Sequence, residues 1–278
     1  MNEIRNTRSP QSIAIIGCGN MGLTYARSFR QYGLCTAEQL LLVEKSAEQR
    51  AQPELHQLGQ LTQGPGERLR HCQIVVLAVK PQDFAALAPE LSPYLQPDQV
   101  LLSIMAGITM SRISDSLQQP LIVRAMPNLP ARIGMGMTAF AALPEVDRGH
   151  LHMAETLLNT TGRAVFLEDE SLLDAVTAVS GSGPAYFFYF VQEMVQAAVE
   201  MGLDEATARV LVKQTMLGSY HLLNQSEEGP AELIRSVSSR GGTTEAAFLA
   251  FSEGRLGEVL RNGLQRAESR ARELSGAL

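Results

Sequence analysis

The sequence of 278 residues predicts an α/β fold with a doubly wound parallel sheet, followed by an all-helical domain. Short apolar runs rich in β-branched residues alternate with segments of helical length over residues 1–168, as in parallel sheets covered on both faces. A glycine-rich turn follows the first apolar run. From residue 171 onward we find no convincing strand pattern. We therefore expect two domains, residues 1–168 and 169–278.

Composition narrows the class of protein. Hydrophobic residues make up 45% of the chain and charged residues 19%, which is typical of a soluble globular protein. The net charge of −6 argues against a nucleic-acid partner. No apolar run is long enough for a membrane span, and Met1 to Pro10 reads as a polar leader without a signal-peptide core. Three scattered cysteines suit a reducing compartment, so we expect a cytoplasmic protein.

The first strand is predicted over 12–17 and the first helix over 20–33. Between them lies the stretch Gly17-Cys18-Gly19-Asn20-Met21-Gly22, which reads G-x-G-x-x-G. In this context the first glycine allows the turn, the second lets the backbone approach a pyrophosphate, and the third lets the helix pack on the strand. The helix N-terminus then faces the anion. We predict dinucleotide binding; the alternative is a glycine turn that only packs a helix on a strand.

The remaining elements of the first domain follow from the same patterns. Predicted strands lie at 40–43, 74–79, 100–104, 121–124, 135–142 and 164–166, and predicted helices at 46–59, 81–94, 109–118 and 145–161. The segment 59–66 is predicted as a loop because it is rich in glycine. This alternation of strands and helices indicates the Rossmann type of doubly wound sheet.

Glu44 ends the second strand, roughly 20 residues after the last glycine, where dinucleotide folds read the adenosine ribose. Its carboxylate would accept a hydrogen bond from a ribose 2′-OH and repel a 2′-phosphate. Lys45 and Arg50 would act in the opposite direction. We therefore expect only a slight preference for NADH over NADPH. The alternative is that Glu44 is a solvated residue at a strand end.

The second domain is predicted as a series of helices. Their ranges are 171–201 with an interruption at Ser180 to Pro184, then 204–224, a short helix from Pro230, one from about 243, and a final one to 274. The stretch 184–201 is more apolar than a small bundle covers. We expect a homodimer through these helices; the alternative is a partly exposed patch on a monomer.

A candidate binding loop, Ser239-Arg240-Gly241-Gly242-Thr243-Thr244, precedes the helix near 243. Free N–H groups from Gly242 to Thr244 at a helix N-terminus, with nearby hydroxyls, would suit a small carboxylate. The alternative is plain capping of the helix by Thr243. We expect no metal site, because the five histidines and three cysteines lack ligand spacing.

Five ordered stretches give the chain a family resemblance over residues 12–275. They are the glycine loop, Ala78-Val79-Lys80-Pro81-Gln82, Arg124-Ala125-Met126-Pro127-Asn128, Ser180-Gly181-Ser182-Gly183-Pro184-Ala185-Tyr186, and Val237 to Thr244. With them the chain resembles the pyrroline-5-carboxylate reductases, which catalyse the last step of proline synthesis. The resemblance implies reduction of 1-pyrroline-5-carboxylate to L-proline with NADPH or NADH.

The resemblance also implies roles for particular residues and an assembly. Ala78, Val79, Lys80 and Pro81 would line the nicotinamide end of the cofactor site. Ser239, Gly242, Thr243 and Thr244 would hold the substrate carboxylate, with Thr244 near the imine nitrogen as the catalytic group. The helical domain would form a homodimer, and dimers of this family often assemble into larger rings.

Four positions depart from the family pattern: Arg240 replaces a usual proline, Glu245 an aliphatic residue, Leu129 a threonine, and Pro65 an asparagine that contacts the cofactor. These departures bear on substrate identity more than on fold. Two alternatives therefore stay open. One is a related reductase for another cyclic imine or an oxo or hydroxy acid, and the other is a non-catalytic relative with a regulatory role.

Overall fold

The computed structural model describes residues 12–277, and the predicted polar leader lies outside this range. Its centre is an eight-stranded sheet in the order β3-β2-β1-β4-β5-β6-β7-β8. The strands are β1 (Ile13–Ile16), β2 (Leu40–Val43), β3 (Gln60–Thr62), β4 (Ile74–Leu77), β5 (Val100–Ser103), β6 (Ile122–Met126), β7 (Gly136–Ala142) and β8 (Gly162–Phe166). This order places β1 between β2 and β4, so the glycine loop follows a central strand.

The sheet is doubly wound, but one pair of strands is antiparallel. β7 pairs antiparallel with β6, and β8 then pairs parallel with β7. The predicted wholly parallel sheet is corrected at this point. The connection from β6 to β7 is only a 3-10 turn at Leu129–Ile133, which is too short for the crossover that a parallel return needs.

β3 occupies residues 60–62 of the segment 59–66 that is predicted as a loop, so the prediction is wrong for these three residues. Its three residues pair in parallel with β2, with Leu41 opposite Gln60. The strand lies at the edge of the sheet and is short and partly polar. It therefore lacks the apolar run by which the other strands are recognised.

Helices of the first compact unit cover both faces of the sheet. They are α1 (Asn20–Gln31), α2 (Ala47–Arg50), α3 (Pro53–Leu58), α4 (Phe84–Leu91), α5 (Met110–Leu117), α6 (Arg148–Leu158) and α7 (Leu172–Val176). The helix predicted over 46–59 is broken in two because Pro53 begins α3. Alternate residues of β1 point to opposite faces: Ala14 and Ile16 pack in one core cluster, Ile13 and Ile15 in the other.

The helix predicted over 171–201 is interrupted close to the predicted place. A π-helical turn at Thr177–Gly181 separates α7 from α8. Such turns insert one extra residue and are frequent at functional sites.

The second compact unit is helical. It spans Gly183–Arg266, whereas the first unit runs to Ser182 and resumes at Ala267. The described helices from residue 183 onward are α8 (Gly183–Glu200), α9 (Glu205–Gln225), α10 (Pro230–Ser236), α11 (Thr243–Glu253) and α12 (Leu256–Ala277). The division at residue 168 stays a prediction, since it separates strands from helices rather than compact units. Over residues 12–277, no helix has the length and apolar character needed to cross a bilayer.

Candidate functional site

The first compact unit contains a cleft of about 410 Å³ at the carboxyl ends of β1, β2 and β4. This is the edge where doubly wound sheets bind nucleotides. The predicted cofactor residues that line the cleft are Gly17, Gly19, Glu44, Lys45, Ala78, Val79 and Lys80. The structure therefore brings most of the predicted cofactor set together.

The three motif glycines have different steric surroundings. Gly17 has a φ of +94°, and a Cβ there would lie 3.0 Å from the Ala78 carbonyl carbon. A Cβ on Gly22 would lie 2.0 Å from the Gly17 carbonyl oxygen, so this glycine lets α1 approach the loop. A Cβ on Gly19 would meet no atom within 4 Å. The first and third glycines therefore serve the fold, and the second faces open space.

The glycine loop fits a pyrophosphate. Gly19 is the N-cap of α1 and offers no side-chain cap, so the first-turn N–H groups of the helix have no intrahelical acceptor. These groups border the open space at Gly19, and a helix N-terminus favours an anion. Asn20 and Met21 begin the helix but do not line the cleft.

Cys18 packs in the core and is not a reactive thiol. It is almost fully buried, and burial together with the nearby Glu44 carboxylate raises its pKa to about 12. A thiol with such a pKa stays protonated at neutral pH. Its backbone N–H donates to the Glu44 carboxylate.

The Glu44 carboxylate bonds to two backbone N–H groups. One oxygen accepts from the Cys18 N–H at 2.8 Å and the other from the Ser46 N–H at 2.7 Å. Glu44 exposes only 8% of its surface, so the alternative of a solvated strand-end residue is wrong. Each carboxylate oxygen has a further lone pair for a ribose hydroxyl.

The two cations near Glu44 are already engaged. The Lys45 ammonium lies 3.1 Å from the Asp83 carboxylate on the opposite wall of the cleft. Arg50 donates to the carbonyl oxygens of Glu44 and Lys45 at 2.8 and 2.6 Å, and it does not line the cleft. Arg50 therefore stabilises the turn after β2 instead of facing the cofactor region as predicted.

The predicted nicotinamide-end residues follow β4. The Ala78 N–H donates to the Ile16 carbonyl oxygen at 2.9 Å, which fixes this segment against the end of β1. Val79 is half-buried and Lys80 exposed in the cleft, whereas Pro81 begins a 3-10 turn and does not line it.

Several residues of the cleft were missed by sequence reasoning. The loop after β3 contributes Gln63 and Gly64, Asp83 directly precedes α4, and Glu90 lies within α4. Pro65, which the family resemblance already placed at a cofactor-contacting position, also lines the cleft. Recognition of β3 would have revealed the first group, because loops at the carboxyl ends of neighbouring strands meet at one edge of the sheet.

The candidate substrate loop lies in the second compact unit, and one of its predicted donors is occupied. The Gly242 N–H donates to the Ser239 carbonyl oxygen at 3.0 Å, so it is not free as predicted. Gly242 is the N-cap of α11, and the alternative of capping by Thr243 is therefore wrong. A Cβ on Gly242 would lie 2.5 Å from the Ser239 hydroxyl oxygen and 2.9 Å from its carbonyl oxygen, so a larger residue would require the loop to shift.

Glu245 holds the same loop from within the helix. Its carboxylate accepts a hydrogen bond from the Gly241 N–H at 2.6 Å, and Gly241 has a φ of +72°. Glu245 thus acts as a capping residue in the first turn of α11. The N–H groups of Thr243 and Thr244 start the helix and have no intrahelical acceptor.

Two further motifs are joined in the first unit. The Asn128 amide donates to the Ser180 carbonyl and hydroxyl oxygens at 3.3 Å, and its own oxygen accepts from the Met137 N–H at 2.9 Å. Arg124, whose side chain is buried, forms an ion pair of 2.8 Å with the partly exposed Glu170. The contacts of Asn128 link the turn after β6 to the π-helical turn, and the ion pair links β6 to the segment before α7. Among the residues described, no cluster of side chains could hold a metal ion.

Family comparisons cover nearly the whole chain. Residues 170–274 match the family model described as pyrroline-5-carboxylate reductase dimerisation, and residues 12–107 match the model for coenzyme F420-dependent NADP oxidoreductase. The pyrroline-5-carboxylate reductase of Pseudomonas aeruginosa is 39% identical over 97% of this chain and 99% of its own length. The Haemophilus influenzae enzyme is 35% identical over 94% of this chain and 97% of its own.

Solved structures have the same fold. The pyrroline-5-carboxylate reductase of Coxiella burnetii superposes with a TM-score of 0.87 at 30% identity, covering 96% of this chain and 99% of its own. The Plasmodium falciparum pyrroline carboxylate reductase, solved with NADP bound, gives a TM-score of 0.86 at 24% identity, covering 95% and 98%.

Proposed function

We infer that this chain, which belongs to the pyrroline-5-carboxylate reductase family, is an NAD(P)H-dependent oxidoreductase that reduces 1-pyrroline-5-carboxylate to L-proline. The observation that carries this conclusion is the open space at Gly19, in front of a helix N-terminus, in a chain matched end to end by these reductases. Both the fold and the glycine loop suit a nicotinamide dinucleotide.

The glycine loop and the strand ends bind and orient the cofactor in this proposal. Gly17 and Gly22 shape the loop, Cys18 joins it to Glu44, and the start of α1 at Asn20 and Met21 presents N–H groups to the pyrophosphate. Glu44 and Lys45 flank the adenosine ribose, whereas Ala78, Val79, Lys80 and Pro81 border the nicotinamide. The bound reduced nicotinamide supplies the hydride that the imine carbon accepts.

The loop before α11 binds the substrate in this proposal. The Ser239 hydroxyl and the N–H groups of Thr243 and Thr244 bind the carboxylate. Gly242 donates no hydrogen bond to the substrate, but its lack of a side chain lets the backbone of the loop lie close to Ser239. The Thr244 hydroxyl donates a hydrogen bond to the imine nitrogen. Positioning of the two reactants supplies most of the rate enhancement, because the site has no stronger acid assigned to it.

The proposed cofactor preference is slightly toward NADH. The support is the buried Glu44 carboxylate, which two backbone N–H groups hold at the end of β2. An anion fixed there repels a 2′-phosphate and accepts from a 2′-OH.

The proposed assembly is a homodimer through the domain of residues 169–278, with larger rings built from dimers. The dimerisation model over residues 170–274 supports homo-oligomerisation. Large apolar side chains of α8 are exposed in the single chain, among them Phe187, Phe188 and Met194. The three free, buried cysteines suit a reducing cytoplasm, which we propose as the location.

The proposed activity is tested by following oxidation of NADH and NADPH by the purified full chain. We expect saturable oxidation with 1-pyrroline-5-carboxylate and a lower kcat/KM with a six-membered cyclic imine or a 2-oxo acid. A higher kcat/KM with either of these would favour the related reductase. No turnover with any of them, in a chain that still binds cofactor, would favour a non-catalytic relative.

A further inference from the structure

Lys45 and Asp83 face each other across the cofactor cleft. Lys45 follows β2, and Asp83 ends the 3-10 turn that follows β4. The Lys45 Nζ and an Asp83 carboxylate oxygen are 3.1 Å apart, and both residues line the cleft. The ion pair therefore joins the two walls of the cleft next to Glu44.

This ion pair is exchangeable. The Lys45 side chain is 77% exposed and that of Asp83 35% exposed. Ion pairs this accessible contribute little to stability, because water and salt compete for both charges. A doubly charged anion entering the cleft can therefore take the ammonium group from a single carboxylate.

The neighbouring carboxylate is not exchangeable in the same way. Both oxygens of Glu44 are held by backbone N–H groups, and its side chain is buried. Glu44 cannot swing away to admit a 2′-phosphate, whereas Lys45 can change partner. The adjustable charge at this end of the cleft is thus the Lys45 ammonium.

We propose that Asp83 is a specificity-determining residue: by holding Lys45, it disfavours a nicotinamide dinucleotide that carries a 2′-phosphate. The inference rests on the proposed function, since it assigns the part of the cleft beside Glu44 and Lys45 to the adenosine half of that cofactor. A 2′-phosphate gains Lys45 only by displacing Asp83, whereas an unphosphorylated ribose leaves the ion pair intact.

The net negative charge of the cleft lining also disfavours a 2′-phosphate. The lining contains the carboxylates of Glu44, Asp83 and Glu90 against the ammonium groups of Lys45 and Lys80. Loss of the Asp83 charge both frees Lys45 and neutralises this excess. Loss of the Glu90 charge neutralises the excess without freeing Lys45, because no ion pair joins Glu90 to a cation among the described residues. Glu90→Gln is therefore the matched control.

The test is direct binding of two adenosine fragments to the full chain by titration calorimetry at low salt. The fragment 2′,5′-ADP carries the phosphate that distinguishes NADPH, and 5′-AMP lacks it. In Asp83→Asn we expect 2′,5′-ADP to bind about three- to tenfold tighter, the range for one exposed charge, with 5′-AMP changed less than about twofold. Glu90→Gln should change the ratio of the two affinities less than Asp83→Asn does.

A double variant separates release of Lys45 from simple loss of negative charge. In Lys45→Gln with Asp83→Asn, we expect the gain for 2′,5′-ADP to disappear. An unchanged affinity ratio in Asp83→Asn, a gain that persists in the double variant, or an equal gain in Glu90→Gln overturns the proposal. If Asp83→Asn does not fold, Asp83→Ser is measured with the same criteria.

Failure of this inference is distinguishable from failure of the proposed function. If the wild-type chain reduces 1-pyrroline-5-carboxylate but Asp83→Asn leaves the ratio of the two fragment affinities unchanged, only the proposed role of Asp83 is refuted. If the wild-type chain binds neither fragment and reduces no imine, the proposed cofactor site and the proposed function are both refuted.

Discussion

The Glu44 carboxylate accepts a hydrogen bond from the Cys18 N–H at 2.8 Å, which ties the end of β2 to the middle of the glycine loop. The two residues are 26 positions apart in the sequence. This contact gives Glu44 a structural task in addition to its proposed contact with the ribose. Substitution of Glu44 is therefore expected to affect the binding of every nucleotide as well as the choice between nucleotides.

Substitution of Gly19 by valine should abolish cofactor binding in a folded protein. A branched side chain would fill the space that the pyrophosphate needs, and it would meet no protein atom within 4 Å at its Cβ. We expect NADH and NADPH affinity, measured by nucleotide fluorescence, to fall at least about 100-fold, which corresponds to about 2.7 kcal/mol.

Gly66→Val is the control for this substitution. Gly66 also has open space around its Cβ position and an extended backbone, but it does not line the cleft. The Gly66→Val protein should therefore bind NADH and NADPH with unchanged affinity. Unchanged cofactor affinity in a folded Gly19→Val protein would show that the pyrophosphate does not bind at the glycine loop.

Glu44→Ser should shift the ratio of kcat/KM values toward NADPH. Removal of the anion ends its repulsion of a 2′-phosphate, and we expect a shift of about three- to tenfold. Because the loop also loses its anchor, absolute kcat/KM should fall with both cofactors. Glu44→Gln, which keeps one acceptor oxygen, should give a shift with a smaller fall. A ratio that stays constant in both variants would mean that Glu44 does not face the ribose.

Thr244→Ala should lower kcat/KM for 1-pyrroline-5-carboxylate by about 1–3 kcal/mol of transition-state stabilisation, the range for a lost hydrogen bond to a charged group. Cofactor affinity should stay nearly unchanged, because the glycine loop and Thr244 belong to different compact units. Thr244→Ser keeps the hydroxyl and should recover most of the activity. Full activity in the alanine variant would refute the proposed substrate loop.

Glu245 should control how firmly the substrate loop is held. In Glu245→Ala the Gly241 N–H loses its acceptor, so we expect KM for the substrate to rise about three- to tenfold, as for a lost capping interaction. Glu245→Gln keeps an acceptor and should have a lower KM than the alanine variant. Equal KM values in the two variants would show that the capping contact does not support binding.

Arg240→Pro tests a second departure from the family pattern. Arg240 is exposed, and no side-chain partner for it occurs among residues 12–277. We expect kcat/KM to change less than about twofold, as for a solvated turn residue. An increase in turnover of 1-pyrroline-5-carboxylate would instead mean that Arg240 has reshaped the site.

The smallest stable unit in solution should be a dimer. Large apolar side chains of α8, including Phe187 and Phe188, are more than half exposed in the single chain, and clusters of such side chains are typical of surfaces that another protein covers. Light scattering at micromolar concentration should report a dimer or a multiple of it. A monomer at that concentration would contradict the proposed assembly.

Much of this protein could be predicted from its sequence because the signals are local. Buried parallel strands such as β1 and β4 are continuous apolar runs, since both faces are covered, and the Gly17 turn is encoded by the φ values that glycine allows. The interruption before α8 likewise follows from glycines and a proline close together. The order of elements and the position of the glycine loop could therefore be predicted without coordinates.

The tertiary structure decided what depends on residues distant in sequence. β3 is too short and polar to be recognised alone and exists by pairing with β2. The reversal of β7 depends on the 3-10 turn before it. Glu44 contacts Cys18 and Asp83 contacts Lys45, and in each pair the two residues follow different strands. Hydrogen bonds and ion pairs act only over a few ångströms, so such partners are defined when the sheet assembles and brings them within reach.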